Sequence, residues 1–185
     1  MDHAGRLTPA GLVFLGLVDP ASPLIPPTLA NAATGYAPPS GGWRRSVVER
    51  DAPDFVATAN KGWFDLSREG GLFGDDREFL VAVEVQGGDF WWARVRLDES
   101  WDVVGAGSAD ALGIGFGAPE FVMLSVSGDV IVAGRTGDSS VGTVLVTGFS
   151  DVVGLCEHAE WKAGWQGTPQ QEKAAIRRWL EAIGR

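Results

Sequence analysis

Between Arg77 and Leu97, apolar and polar side chains alternate with a period of two on both sides of Gly87-Gly88, the pattern of a β-hairpin. A two-residue loop at Gly87-Gly88 would pair Val83 with Trp92, Val81 with Arg94 and Phe79 with Arg96, so that both faces mix apolar and charged groups. A three-residue loop, 86–88, instead places Val83 opposite Trp91, Val81 opposite Ala93 and Phe79 opposite Val95. The other face then carries Glu78 opposite Arg96, Leu80 opposite Arg94, Ala82 opposite Trp92 and Glu84 opposite Phe90. Segregation of faces sets register, and three-residue loops with a left-handed Gly are a recurrent hairpin type. The pattern therefore predicts strands over 78–85 and 89–97. It also predicts an exposed Glu78–Arg96 pair worth about 0.2–1 kcal/mol.

Further strands are expected at 101–105, at 121–126 and 130–133 across Ser127-Gly128-Asp129, and at 141–147, where branched side chains dominate. Residues 63–66 read as a short strand and 67–76 as a Gly-rich loop. From Ser150 the period changes to that of a helix. Val152, Leu155, Cys156 and Ala159 share a stripe that Trp161 and Trp165 extend. Thr168-Pro169-Gln170-Gln171 has the form of a capping box, and Ile176, Trp179, Leu180 and Ile183 line a last helix ended by Gly184. Near the start, Thr8-Pro9 opens an expected apolar helix over 10–18. A Pro- and Gly-rich connection over 19–42 follows, with a short helical turn near 29–33, and Leu24, Ile25, Leu29 and Tyr36 are suited to tack it onto a core. Residues 51–62 suggest a short helix stopped by Gly62.

This order of elements indicates an α+β fold: an antiparallel sheet of about five to seven strands, two C-terminal helices packed on one face, and an N-terminal helix with a wrapping segment. We read one domain, divided into 1–45 (apolar helix and arm), 46–149 (mainly sheet) and 150–185 (two helices).

A chain of 185 residues is long enough for a sizeable core, and 45% hydrophobic with 21% charged residues is ordinary for a globular protein. The net charge of −9 argues against nucleic acid, whose phosphates need a basic surface, and against anionic membranes, but it suits a basic protein partner. A single cysteine excludes an internal disulfide and is compatible with the cytoplasm. Residues 10–18 resemble a signal h-region and Ala30-Asn31-Ala32 a cleavage site. However, Asp2 and Arg6 give no positive excess, prolines intervene, and the run is too short to span a bilayer. We read it as internal.

No complete catalytic kit is present. Cys156 and His158 are two apart on an expected helix and face different sides, so they form no dyad. Two histidines and one cysteine are too few for a structural zinc site. Asp75-Asp76 and Asp98-Glu99 are adjacent acids in turns, a pattern that usually means solvation. Gly113-Ile-Gly-Phe-Gly-Ala118 matches a dinucleotide fingerprint as text, but Pro119 and a strand pattern follow it where the mechanism needs a helix. Neither a cofactor nor a metal is expected.

Two functional readings follow. The first is a non-enzymatic protein-binding module with a basic partner, using Phe90, Trp92, Arg94 and Arg96 on the mixed face of the hairpin, a typical hot-spot composition. The competing expectation for those side chains is that residues 10–18 or the Pro-rich arm cover them. Trp161 and Trp165 pose the same question and would suit contacts between copies in a homo-oligomer. The short, acidic, Trp-rich α+β profile is similar to that of small bacterial binding proteins, including immunity proteins and antitoxins that act by stoichiometric binding; no motif carries the likeness. The second reading is a small-ligand-binding or hydrolase-type domain. Its pocket would lie at the bare face of Gly113, Gly115 and Gly117, with Glu84 or Glu120 as polar contacts.

Overall fold

The computed structural model describes residues 2–185. Its centre is a seven-stranded antiparallel sheet formed by β1 (Leu12–Leu17), β2 (Trp43–Glu49), β3 (Glu78–Glu84), β4 (Phe90–Leu97), β7 (Phe121–Leu124), β8 (Val130–Thr136) and β9 (Ser140–Thr147), in the spatial order β1-β4-β3-β7-β8-β9-β2. A separate two-stranded ribbon joins β5 (Gly113–Gly115) to β6 (Ala118–Pro119).

The β3–β4 hairpin has the three-residue loop and the register expected from face segregation. Val83 pairs with Trp91, Val81 with Ala93, Phe79 with Val95 and Glu84 with Phe90. The loop closes through the Val85 N–H donating to the Asp89 carbonyl at 2.8 Å, with Gly87 at φ +81° and Gly88 at φ +86°. Only glycine adopts two successive left-handed residues at no steric cost. The expected hairpin across residues 127–129 joins β7 to β8.

Both faces of this sheet are covered. On one face Phe79, Val81, Val83, Ala93, Val95, Met123 and Val132 form a core with Trp63 and Leu72. On the other, Leu80, Trp92, Val122, Leu124, Ile131 and Val146 pack against the helices α2 (Pro27–Ala33), α4 (Val153–Gly164) and α5 (Gln170–Ala182). The run Phe121-Val-Met-Leu124 is buried on both sides, which is why it is apolar without alternation. The α4 stripe of Leu155, Cys156 and Ala159 and the α5 stripe of Ile176, Trp179 and Leu180 are buried as their period indicated. So are Ile25 and Leu29 of the arm, while Leu24 and Tyr36 pack at its margin.

Several expectations are corrected. The N-terminal helix is α1 (His3–Leu7), followed by a 3-10 turn, Thr8–Ala10; the apolar run after it is the edge strand β1. Gly11 separates them at φ +72°, where a Cβ would lie 2.4 Å from the Ser100 carbonyl oxygen. A short apolar run fits helix and strand alike, and this one is settled by its pairing with β4.

Helix α3 (Phe55–Gly70) starts later than expected and runs through both the proposed stop at Gly62 and the proposed strand at 63–66. Gly62 is a packing glycine: a Cβ there would lie 2.3 Å from Ser46 Oγ on β2, and one at Gly70 would lie 2.3 Å from Leu145 Cδ1 on β9. Two turns apart on one face, they let the helix lie close to the sheet.

The expected strand at 101–105 is a π-helical turn, Val103–Gly107. The Asp102 carboxylate caps it, accepting from the Gly105 and Ala106 amides at 2.8 Å each and from Asn60 Nδ2 at 2.6 Å. The capping box at Thr168 does not form. Helix α5 begins at Gln170 behind Pro169, and the Thr168 hydroxyl is buried without a partner. Finally, Glu78 faces Arg96 across the ladder but forms its ion pair diagonally with Arg94, at 2.5 Å.

Candidate functional site

The Pro-rich arm leaves the end of β1 and passes over the tip of the β3–β4 hairpin on its way to α2. Two contacts fix this path. The Val18 N–H donates to the Trp92 carbonyl at 2.8 Å, and Trp92 Nε1 donates to the Ile25 carbonyl at 2.7 Å. Arg178 of α5 donates to the Pro20 carbonyl from the other side. Prolines at 20, 23, 26 and 27 suit such a path, because an extended arm has no ladder to complete and Pro restricts it to few conformations.

Between arm, hairpin tip and the first turns of α5 lies a half-open cleft of about 220 Å³. Its apolar wall is made by Phe90, Trp91, Trp92, Leu24 and the prolines Pro20, Pro26, Pro27 and Pro169. The charged groups lining it are Asp19, Asp89 and Glu172, with no basic residue among the described lining residues. Asp19 is held by an Asx turn, accepting from the Ala21 amide at 2.8 Å. Glu172 is fixed at Oε1, which accepts from Thr28 Oγ1 and pairs with Lys162 Nζ at 2.8 Å. Glu172 lies in the first turn of α5 and Lys162 in the last turn of α4, each at the helix end that favours its charge. Thus three segments far apart in the chain bring carboxylates to one aromatic recess.

The expected interface cluster is divided by this arrangement. Phe90 and Trp92 line the cleft, Phe90 with 48% of its surface exposed and Trp92 with only 6%. The arm covers Trp92, as the competing expectation had it. Arg94 and Arg96 continue along β4 away from the cleft, Arg94 engaged with Glu78. Trp161 and Trp165 stack on each other at the end of α4, ring centroids 5.6 Å apart, both more than half exposed, and they do not line the cleft.

The glycines of β5 are not a bare floor. A Cβ at Gly113 would lie 2.3 Å from the Ala118 carbonyl, and one at Gly117 would lie 2.6 Å from the Phe55 ring; Gly115 has open space instead. Ile114 and Phe116 project from the ribbon, 76% and 64% exposed. Glu120 is committed elsewhere, accepting from the Thr136 amide at 3.0 Å, and Glu84 is exposed at the end of β3. The glycines and the two glutamates therefore do not converge on one pocket.

Cys156 is fully buried, and desolvation raises its thiol pKa above the ordinary value. His158 lies instead beside the exposed Trp161 ring, 5.8 Å away. Among the described residues no group of three or more His, Cys, Asp or Glu side chains is placed to hold a metal ion, and no helix is long and apolar enough to cross a membrane.

Residue types alone singled out Phe90 and Trp92. They did not single out Asp19, Asp89 or Glu172, which acquire meaning only when the arm and α5 are laid over the hairpin. Comparison with known protein families, with curated proteins and with solved structures finds no match for this chain.

Proposed function

We propose that this protein is a non-enzymatic binding module that recognises a basic protein partner by seating an Arg or Lys side chain of that partner in the cleft at the hairpin tip. The observation that carries this reading is the composition of the recess: aromatic and proline walls, with Asp19, Asp89 and Glu172 as the charged groups among the described lining residues. A cation over aromatic faces gains about 0.5–2 kcal/mol, more as water is excluded. A carboxylate beside a guanidinium adds charge-assisted hydrogen bonds. The net charge of −9 steers a basic partner toward the surface before contact. Size favours one side chain over a metabolite: about 220 Å³ is below the roughly 300–1,000 Å³ of ordinary small-molecule pockets.

The test is binding of the tripeptide acetyl-Gly-Arg-Gly-amide, measured by calorimetry and indole fluorescence at low and high salt. Phe90→Ala and Asp89→Asn should each weaken binding at least threefold while the melting temperature moves little, since Phe90 is half exposed and Asp89 lies in the cleft rim. Unchanged affinity in both variants, or no binding at millimolar peptide, refutes the reading.

A further inference from the structure

The two edges of the sheet are unlike. At one edge β2 carries Arg44, Arg45 and Glu49, charges of the kind that keep an edge from pairing with foreign strands. At the other edge β1 reads Leu-Val-Phe-Leu-Gly-Leu, with no charge and no proline. Val13, Leu15 and Leu17 are each between 37% and 43% exposed. The Gly11 carbonyl accepts from the amide of Asp98, the residue after β4, at 2.9 Å, and the Val18 amide donates to the Trp92 carbonyl of β4 at 2.8 Å. Alternation along an antiparallel ladder, with the bulge between Phe14 and Gly16, then turns the backbone groups of Leu12, Phe14 and Leu17 away from β4. Among the described residues no strand of the sheet lies beyond them, and the neighbour of β1 outside the sheet is α1, whose His3 ring lies 5.8 Å from that of Phe14.

This open edge runs directly into the cleft, because Val18, the residue after β1, is the first of its lining residues. A strand added antiparallel to β1 would bring its own N-terminal end to Leu17, beside Asp19 and Asp89. We infer that the partner contributes an extended segment that adds to β1 as an eighth strand and places a basic residue near its N-terminal end in the cleft. Main-chain hydrogen bonds would supply affinity and the seated cation specificity, the division of labour in strand-addition complexes. The occupant is a basic segment of another protein and not a second copy of this chain: the charge at the end of the edge is acidic, and two copies of net charge −9 repel each other overall.

The inference rests on the cleft reading above, and its test separates the two. The probe is acetyl-Arg-Thr-Val-Thr-Val-Thr-amide, six residues to match β1, compared with acetyl-Gly-Arg-Gly-amide and with the hexapeptide N-methylated at alternate residues to block ladder bonds. The intact protein is followed by amide hydrogen exchange. The hexapeptide should bind at least tenfold more tightly than the tripeptide, slow exchange at the Leu12, Phe14 and Leu17 amides, and lose its advantage when N-methylated in the pairing phase. Equal affinity of hexapeptide and tripeptide with unprotected β1 amides overturns strand addition and leaves the cleft reading standing. Failure of every arginine peptide to bind at millimolar concentration overturns both. Protection of β1 without peptide, together with a dimer in sedimentation that dissociates on dilution, assigns the edge to a second copy and also overturns the inference.

Discussion

The indole N–H of Trp92 reaches the Ile25 carbonyl at 2.7 Å, joining residues 67 positions apart, both of them buried. This bond holds the Pro-rich arm over the sheet, and the cleft exists because the arm is held there. Trp92 is therefore a structural residue beneath the candidate site, and Phe90 is the exposed ring beside it.

Trp92→Phe keeps most of the packing but strands a buried carbonyl, which costs about 1–3 kcal/mol. Trp92→Ala adds a cavity and should cost about 3–5 kcal/mol. Arg94→Ala removes only a surface ion pair and should cost no more than about 1 kcal/mol. Urea unfolding of the three variants checks this order. Equal small losses would mean that the arm does not cover Trp92 in solution.

Gly70→Ala tests the packing of α3. In an open helix interior the change would stabilise by up to about 1 kcal/mol. Here the new Cβ would fall 2.3 Å from Leu145 Cδ1 and 3.2 Å from its Cγ, and the expected result is a loss of about 1–3 kcal/mol from overpacking. Gly164→Ala, at a position with nothing within 4 Å, should be neutral or slightly stabilising. Thermal melts of the pair decide the point.

The turn between β7 and β8 gives a pH signature. Hydrogen bonds from the Ser127 and Ser125 hydroxyls hold the Asp129 carboxyl below its ordinary range. A group whose folded pKa is depressed binds fewer protons folded than unfolded. Its contribution is therefore complete above the unfolded value, near 3.9, and disappears as pH falls through the lower folded value. The stability difference between wild type and Asp129→Asn should be constant from pH 5 to 7 and shrink below about pH 4. A difference that grows on acidification would contradict the assignment.

Cys156 has no exposed surface, and burial raises its thiol pKa. Because the thiolate is the reacting species, alkylation by iodoacetamide at pH 8 should be negligible in the native state. It should become rapid in denaturing urea, and mass spectrometry reads both. Fast native alkylation would show that α4 is not seated on the sheet.

The hairpin was legible in the sequence because its alternation and glycine loop admit only one register with segregated faces, and the C-terminal helices because their apolar stripes are long. The edge strands were not. Leu12–Leu17 is too short and too uniformly apolar for its period to be read, and in Trp43–Glu49 the arginines and the glutamate obscure the inward face of Ser46 and Val48. Gly62 misled because a glycine that ends a helix and one that lets a helix approach a sheet look alike until the neighbour, here Ser46, is known. Half of the site was visible, since exposed aromatics on a hairpin draw attention by type. Its acids were not, because Asp19, Asp89 and Glu172 are ordinary surface residues until tertiary structure gathers them.

The most direct measurement is a paired titration of ¹⁵N-labelled protein with acetyl-Gly-Arg-Gly-amide and with the same peptide carrying citrulline, which has arginine's shape without its charge. Shifts confined to the Trp92 indole and to the amides of Asp19, Asp89, Phe90 and Glu172, at least tenfold stronger for arginine and weakened by salt, would support a cation-seating cleft. Equal responses to the two peptides, or shifts centred elsewhere, would contradict it.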